Sequence, residues 1–192
     1  LRDLAKQTNT SFEVVHVDGQ SEDQTIAKAE KFRKLFPLTS LSTDVRNVAY
    51  QRNLGAQQAS GEWLIFMDAD NRIPRYFLDG IKYQIAKSPE TELFTTWAIV
   101  DGANKTFNQP IELAINFSLE VGKLINKEWA FGALIGVKKS VLSKKFLFDD
   151  KQKVAEDVMF ISKLVQAGHS FTVFKEPKYS YSLRRMRAEG TL

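Results

Sequence analysis

The 192-residue chain has no cysteine. That excludes a disulfide scaffold, a thiolate nucleophile and any zinc site built with Cys. Histidine is almost as scarce, with only His16 and His169, so a multi-histidine metal site is excluded as well. Metal chemistry would have to rest on carboxylates, which points to a hard cation such as magnesium or manganese. No run of eighteen apolar residues occurs, so no helical membrane span is expected. An excess of charge is missing too. The chain carries 27 basic against 23 acidic residues, a net +4, too mild for a nucleic-acid binder, and no nucleic-acid partner is expected. The lack of Cys fits a reducing, cytoplasmic compartment.

What is present is the balance of a soluble globular domain, 43% apolar and 26% charged. No repeat, low-complexity tract or linker divides it, so residues 1–192 read as one domain. The chain opens at Leu1 with no signal-like segment and reads as part of a longer sequence.

Strand and helix patterns alternate. Leu1 to Lys6 reads as the end of a helix, and Phe12 to Val17 as a strand ending at Asp18. Ser21 to Phe36 reads as a helix with Ser21 and Gln24 at capping-box spacing, stopped by Pro37. A helical stretch runs from near Asn47 to Ser60. Trp63 to Met67 is a continuous apolar run, which suits a strand covered on both faces. Pro74 is placed to open a helix with Phe77, Ile81 and Ile85 on one face. Thr95 to Val100 reads as a strand, Pro110 to Ile125 as a helix, Glu156 to Ala167 as a helix stopped by Gly168, and Phe171 to Phe174 as a last short strand. The expected architecture is α/β, a mostly parallel central sheet flanked by helices. Ligands of such sheets sit beyond the carboxyl ends of the strands. Asp18, Asp68 and Asp70 all follow strand ends and should face one crevice.

Each motif has two readings. Asp68-Ala69-Asp70 is either a solvated turn or a pair of like charges that a divalent cation relieves, bridging to a substrate diphosphate. The loop Asp18 to Thr25 is either ordinary N-capping or an acceptor-binding turn made tight by Gly19. Arg52 is a solvated cation or a phosphate or base ligand. Glu156-Asp157 is favoured at a helix start by the macrodipole alone, or one of the two is a general base. Arg184, Arg185 and Arg187 form a solvated basic tail, or bind a diphosphate or an anionic membrane surface. His16, inside an apolar strand, reads as a satisfied core histidine, and His169 as a turn residue.

Taken in order, these pieces resemble the family 2 glycosyltransferases of the GT-A (Rossmann-like) fold. The carriers are Phe12 to Asp18 with Ser21, Asp23 and Thr25; Arg52-Asn53-Leu54-Gly55 followed by Ala59 to Asp70; Phe148-Asp149-Asp150 followed by Glu156-Asp157, Leu164 and Gly168; and Ser182 to Arg185 with Gly190. The resemblance implies a nucleotide-binding part over about residues 1–90 and an acceptor-binding part over about 91–192. It implies that the family's first strand is absent from this chain. It implies a nucleoside-diphosphate sugar donor, a hydroxyl acceptor (a glycan or lipid-linked), a Mn2+ or Mg2+ ion, and a place in the cytoplasm or at the inner face of the membrane. By the same resemblance Asp18, Ser21, Arg52, Asp68, Arg184 and Arg185 bind the nucleotide sugar. Asp70 with Asp68 holds the metal, and Asp157 is the base, with Glu156 the fallback. Gly19 stands where many members have a second Asp. The Q-x-x-R-W motif of processive synthases is missing, and Thr91 to Glu128 matches no family motif, so it is assigned to shaping the acceptor site. The G-x-G-x-x-G of a Rossmann dehydrogenase does not occur. A non-catalytic nucleotide- or membrane-binding module of the same fold is the rival expectation.

Overall fold

The computed structural model describes residues 1–101, 105–124, 130, 133–143, 145, 147–152 and 155–182. The first unit is a parallel pair, β1 (Val14–Asp18) and β2 (Leu38–Ser42), with Val14 opposite Leu38 and Asp18 opposite Ser42. Between them lies α1 (Thr25–Glu30), which tightens into a 3-10 turn over Lys31–Lys34. The helix is thus shorter than the apolar spacing suggests, and no capping box forms. The Ser21 N–H donates to Asp18 Oδ2 at 2.9 Å, and the Thr25 N–H to Asp23 Oδ1 at 2.8 Å. Asp18 takes the Ser21 donor that the capping box would have satisfied, Asp23 takes the Thr25 N–H, and helix begins only after them.

A second sheet has the order β3 (Trp63–Met67), β5 (Leu134–Lys138), β4 (Leu93–Asp101), β6 (Phe171–Ser182). β5 is antiparallel to both neighbours and β6 is parallel to β4, so three of the four strands run one way. Its two faces carry separate cores. On one, Ile135 and Val137 of β5 pack with Phe160, Ile161 and Leu164 of α5 (Glu156–Gln166). On the other, Leu134 and Phe94 pack with Phe77 and Ile81 of α3 (Phe77–Lys87) and with Phe174 and Tyr179 of β6. This is the alternation a pleated strand imposes. At Gly136 a Cβ would collide with the Phe94 ring, so only glycine lets the two strands pair there.

Two expectations change. β6 runs to Ser182, well past Phe174. α4 (Lys105–Leu124) begins five residues before Pro110, which therefore sits inside it. β3 is packed on both faces, Phe66 against the core of α5 and Trp63, Ile65 and Met67 against that of α3, but only Leu64 is fully buried. Among the described residues, β3 pairs with β5 alone and β1 with β2 alone, so each keeps an edge without a strand neighbour.

α4 lies along β4 where β5 has ended. Asn116 Oδ1 accepts the Ala98 N–H and its Nδ2 donates to the Ala98 carbonyl, both at 2.9 Å. The Val100 N–H donates to Glu112 at 3.4 Å, Asn108 donates to the Val100 carbonyl at 3.5 Å, and the Trp97 indole donates to Glu120 at 3.1 Å. Residues 108, 112, 116 and 120 recur at i, i+4 and form one polar row. That row stands in for the missing strand and leaves Phe107, Leu113 and Phe117 exposed on the outside.

Candidate active site

α2 (Val48–Gln58) joins the two halves of the molecule. Asn47 caps it, accepting the Tyr50 N–H at 2.9 Å. Gly55 presses on β1, where a Cβ would come within 3.3 Å of Val17 Cγ2. Beyond its end, Glu13 at the entry to β1 accepts from Ser60 N, Ser60 Oγ and Gly61 N at 2.6, 2.7 and 3.0 Å. Those bonds lower the Glu13 pKa and tie the start of β3 to β1. Successive residues of α2 then serve two places, Gln51 the loop after β1 and Arg52 the turn after β3.

At the first place, Asp18 ends β1 with 3% exposure. Its carboxyl is held below the usual range chiefly by hydrogen bonding from Ser21. Beside it opens a cleft of about 620 Å3 lined by Gly19, Gln20, Ser21, Glu22, Arg46, Val48 and Gln51. A Cβ at residue 19 would collide with the Gln51 amide, so Gly19 is what admits that amide into the cleft. Gln51 Nε2 donates to the Val45 carbonyl at 3.2 Å. Arg46 spans the cleft mouth, reaching the Gln20 carbonyl at 3.3 Å and Glu22 at 3.1 Å.

At the second place, Asp68 follows β3 and turns the chain, its carbonyl accepting the Asn71 N–H at 3.2 Å. Asp70 is exposed in that turn. The Arg52 side chain is only 10% exposed. Its guanidinium donates to Glu156 at 2.9 Å and to Asp68 at 3.3 Å, and lies 5.3 Å from the centroid of the Phe148 ring. Asp68, Arg52 and Glu156, separated by up to 104 residues in sequence, therefore form one ion-pair chain. Asp157 follows Glu156 in the first turn of α5 and accepts its neighbour Val158's N–H at 2.8 Å. The residue before the helix, Ala155, has φ +60°, a conformation non-glycine residues avoid and one that clusters at functional sites.

Asp68, Arg52 and Glu156 are thus in direct contact, with Asp70 and Asp157 on the segments this contact joins. Asp18 and Ser21 meet each other at the cleft on the β1 side of α2. Arg184 and Arg185 lie outside the described residues. Arg52 is paired with protein carboxylates and is not a solvated cation. Among the described residues no group of three or more His, Asp or Glu side chains is placed to hold a metal. Asp68 and Asp70 lie on one turn, Asp68 paired with Arg52 and Asp70 exposed. Sequence reasoning missed Arg46, Gln51 and the grip on Phe148 by Asn53. The motif contained Asn53 and Phe148, but nothing in it indicated that they touch. His16 also differs from expectation: its Nδ1 is buried with no hydrogen-bond partner.

The fold and this arrangement define a GT-A glycosyltransferase domain. Residues 1–146 match the Glycosyl transferase family 2 profile, and the chain belongs to that family. An uncharacterized glycosyltransferase of Haemophilus influenzae is 29% identical over 179 residues, 91% of this chain and 59% of that protein. The poly(ribitol-phosphate) beta-N-acetylglucosaminyltransferase TarS of Staphylococcus aureus is 28% identical over 190 residues, 96% of this chain and 33% of TarS. The crystal structure of TarS residues 1–349 with UDP-GlcNAc superposes with a TM-score of 0.75 at 23% identity, over 95% of this chain and 53% of that one. The mannosyltransferase PcManGT of Pyrobaculum calidifontis, in complex with GDP-Man and Mn2+, gives 0.71 at 20% identity, over 96% and 52%. The chain spans between a third and three-fifths of the length of these relatives.

Proposed function

We propose that this domain transfers a sugar from a nucleoside-diphosphate sugar to an acceptor hydroxyl with inversion at the anomeric carbon. The observation that carries the reading is Arg52, which ties the turn bearing Asp68 and Asp70 to the helix start bearing Glu156 and Asp157. Donor-side and acceptor-side carboxylates are thereby held across one arginine. The cleft beside Asp18, Gly19 and Ser21 takes the nucleoside, with Arg184 and Arg185 assigned to the diphosphate by family likeness. Asp70, with Asp68, holds the Mn2+ or Mg2+ that accompanies the donor. When bound, that ion offsets the negative charge growing on the departing diphosphate.

In the reaction, the C1–O bond to the diphosphate breaks and its electron pair stays on the phosphate oxygen. A bond from the acceptor oxygen to C1 forms on the opposite face. Asp157 takes the acceptor proton. Glu156 accepts from Arg52 at 2.9 Å, which gives it a holding role, and family likeness assigns Asp157 the base. Likeness to TarS makes a UDP-linked N-acetylhexosamine the first donor to try and a polyol-phosphate or related cell-envelope glycan the first acceptor. The place of action is the cytoplasm or the inner membrane face; among the described residues no helix is long and apolar enough to cross a membrane.

Transfer by the full-length protein with Mn2+ tests this. Asp157→Asn should lower turnover about a hundred- to ten-thousand-fold, the usual worth of a general base, while leaving donor affinity within about twofold. Asp70→Ala should weaken both. Near-full activity of Asp157→Asn would refute the base assignment, and metal-dependent donor binding without any turnover would favour a binding module.

A further inference from the structure

Arg52 holds its two carboxylates only if its guanidinium is held in turn, and the side chain beside it is Phe148. Phe148 is 3% exposed. Its ring stacks on Phe160 of α5, centroids 3.9 Å apart and planes 17° apart, and meets Phe66 of β3 edge-on at 5.0 Å. It thus touches the strand that ends at Asp68, the helix that begins at Glu156, and the arginine between them. What fixes the ring is Asn53. Its Oδ1 accepts the Phe148 N–H at 3.0 Å and its Nδ2 donates to the Phe148 carbonyl at 2.8 Å. One amide satisfies both backbone groups of a residue 95 positions away, as a neighbouring strand would. Asn47, the cap of the same helix, adds a bond from Nδ2 to the Asp150 carbonyl at 2.9 Å.

We propose that Asn53 is a positioning residue for the transfer reaction: by gripping Phe148 it sets the Arg52 guanidinium and, through Phe160, the first turn of α5 that carries Asp157. The inference rests on the transferase reading above. Asn53 touches neither donor nor acceptor in this account. It acts on the alignment of the base, so its removal is felt in the chemical step more than in donor binding. The two-point grip explains why an amide is needed: aspartate would set a carboxylate against the Phe148 carbonyl, and alanine would leave both backbone groups unpaired.

The test compares the full-length wild type with Asn53→Ala and Asn53→Asp. Donor affinity and the number of donor-binding sites are measured by titration calorimetry with UDP-GlcNAc and Mn2+. The kcat of transfer is then expressed per binding site. Both variants are expected to lose about 10- to 100-fold in kcat, the scale of a misplacement near one ångström, with donor Kd unchanged within about twofold. A kcat per site equal to wild type overturns the proposal. So does a loss of activity that only matches a loss of binding sites, since that is instability and not misalignment. If neither variant folds, Asn47→Asp, which keeps an oxygen to accept the Tyr50 N–H and removes the donor to the Asp150 carbonyl, is measured instead, and a smaller fall in kcat per site at unchanged Kd is required. A wild type that binds donor without turnover overturns the transferase reading itself, which is a different result from an active wild type matched by its variants.

Discussion

Arg52, Asp18 and His16 are polar groups on or beside the strands and helix that build the site, and each has found a different solution. Arg52 is compensated by two carboxylates and an aromatic face. Asp18 is compensated by a backbone N–H. His16 Nδ1 has no hydrogen-bond partner, and burial lowers the imidazole pKa, only partly offset by Asp18 and Glu30. The folded state therefore keeps His16 neutral where an unfolded chain would protonate it. As pH falls through the ordinary value of 6.5, the unfolded state binds the extra proton and stability drops. The drop continues until the lower folded-state pKa is reached. Asp3, Glu13 and Asp18 have lowered pKa values, so their contributions are lost only at more acid pH. Urea unfolding at a series of pH values should show a loss beginning near pH 6.5, and His16→Gln should remove that part. An unchanged pH dependence in His16→Gln would assign the slope elsewhere.

At the scale of elements, the strongest local rules were legible. The helical stretch expected from near Asn47 to Ser60 is α2, and Trp63 to Met67 gave β3 to the residue. β2 and β5 were not legible. Leu38–Ser42 is mostly Ser and Thr, and Leu134–Lys138 is short with Gly136 in its middle. Their strand character comes from neighbours, Val14 to Asp18 for one and Trp63 to Met67 for the other, and no local pattern encodes that. α4 was legible as a helix but not in its orientation. Leu113 and Phe117, which stand at helical spacing, are exposed, and the face turned to β4 is the row Asn108, Glu112, Asn116 and Glu120. Hydrogen-bonding β4's free edge outweighed burying two side chains, because unpaired buried backbone groups are costly. Asn116→Ala should therefore cost about 2–4 kcal/mol, leaving the Ala98 N–H and carbonyl both unpaired. Chemical denaturation measures it, and a cost below about 0.5 kcal/mol, the range of ordinary surface changes, would contradict the role given to α4.

At the scale of the molecule, the site is an assembly of segments that only the fold brings together. The family motifs named Asp18, Arg52, Asp68, Asp70, Glu156 and Asp157 as candidates, and topology placed Asp18 and Asp68 at strand ends. What the sequence could not carry was who pairs with whom. Only contacts across 104 residues identify Arg52 as the link between Asp68 and Glu156. The same holds for Asn53 and Phe148. The account as a whole claims that the diphosphate and its cation lie at the turn of Asp68 and Asp70, beside the nucleoside cleft at Gly19 and Ser21. A crystal of the full-length protein with a UDP-sugar and Mn2+, measured at the manganese edge, tests that claim directly. The account predicts one anomalous peak within bonding distance of an Asp70 carboxylate oxygen and of the diphosphate, with the uridine in the cleft lined by Gly19, Ser21 and Gln51. A peak elsewhere, or a nucleotide bound away from that cleft, would contradict it.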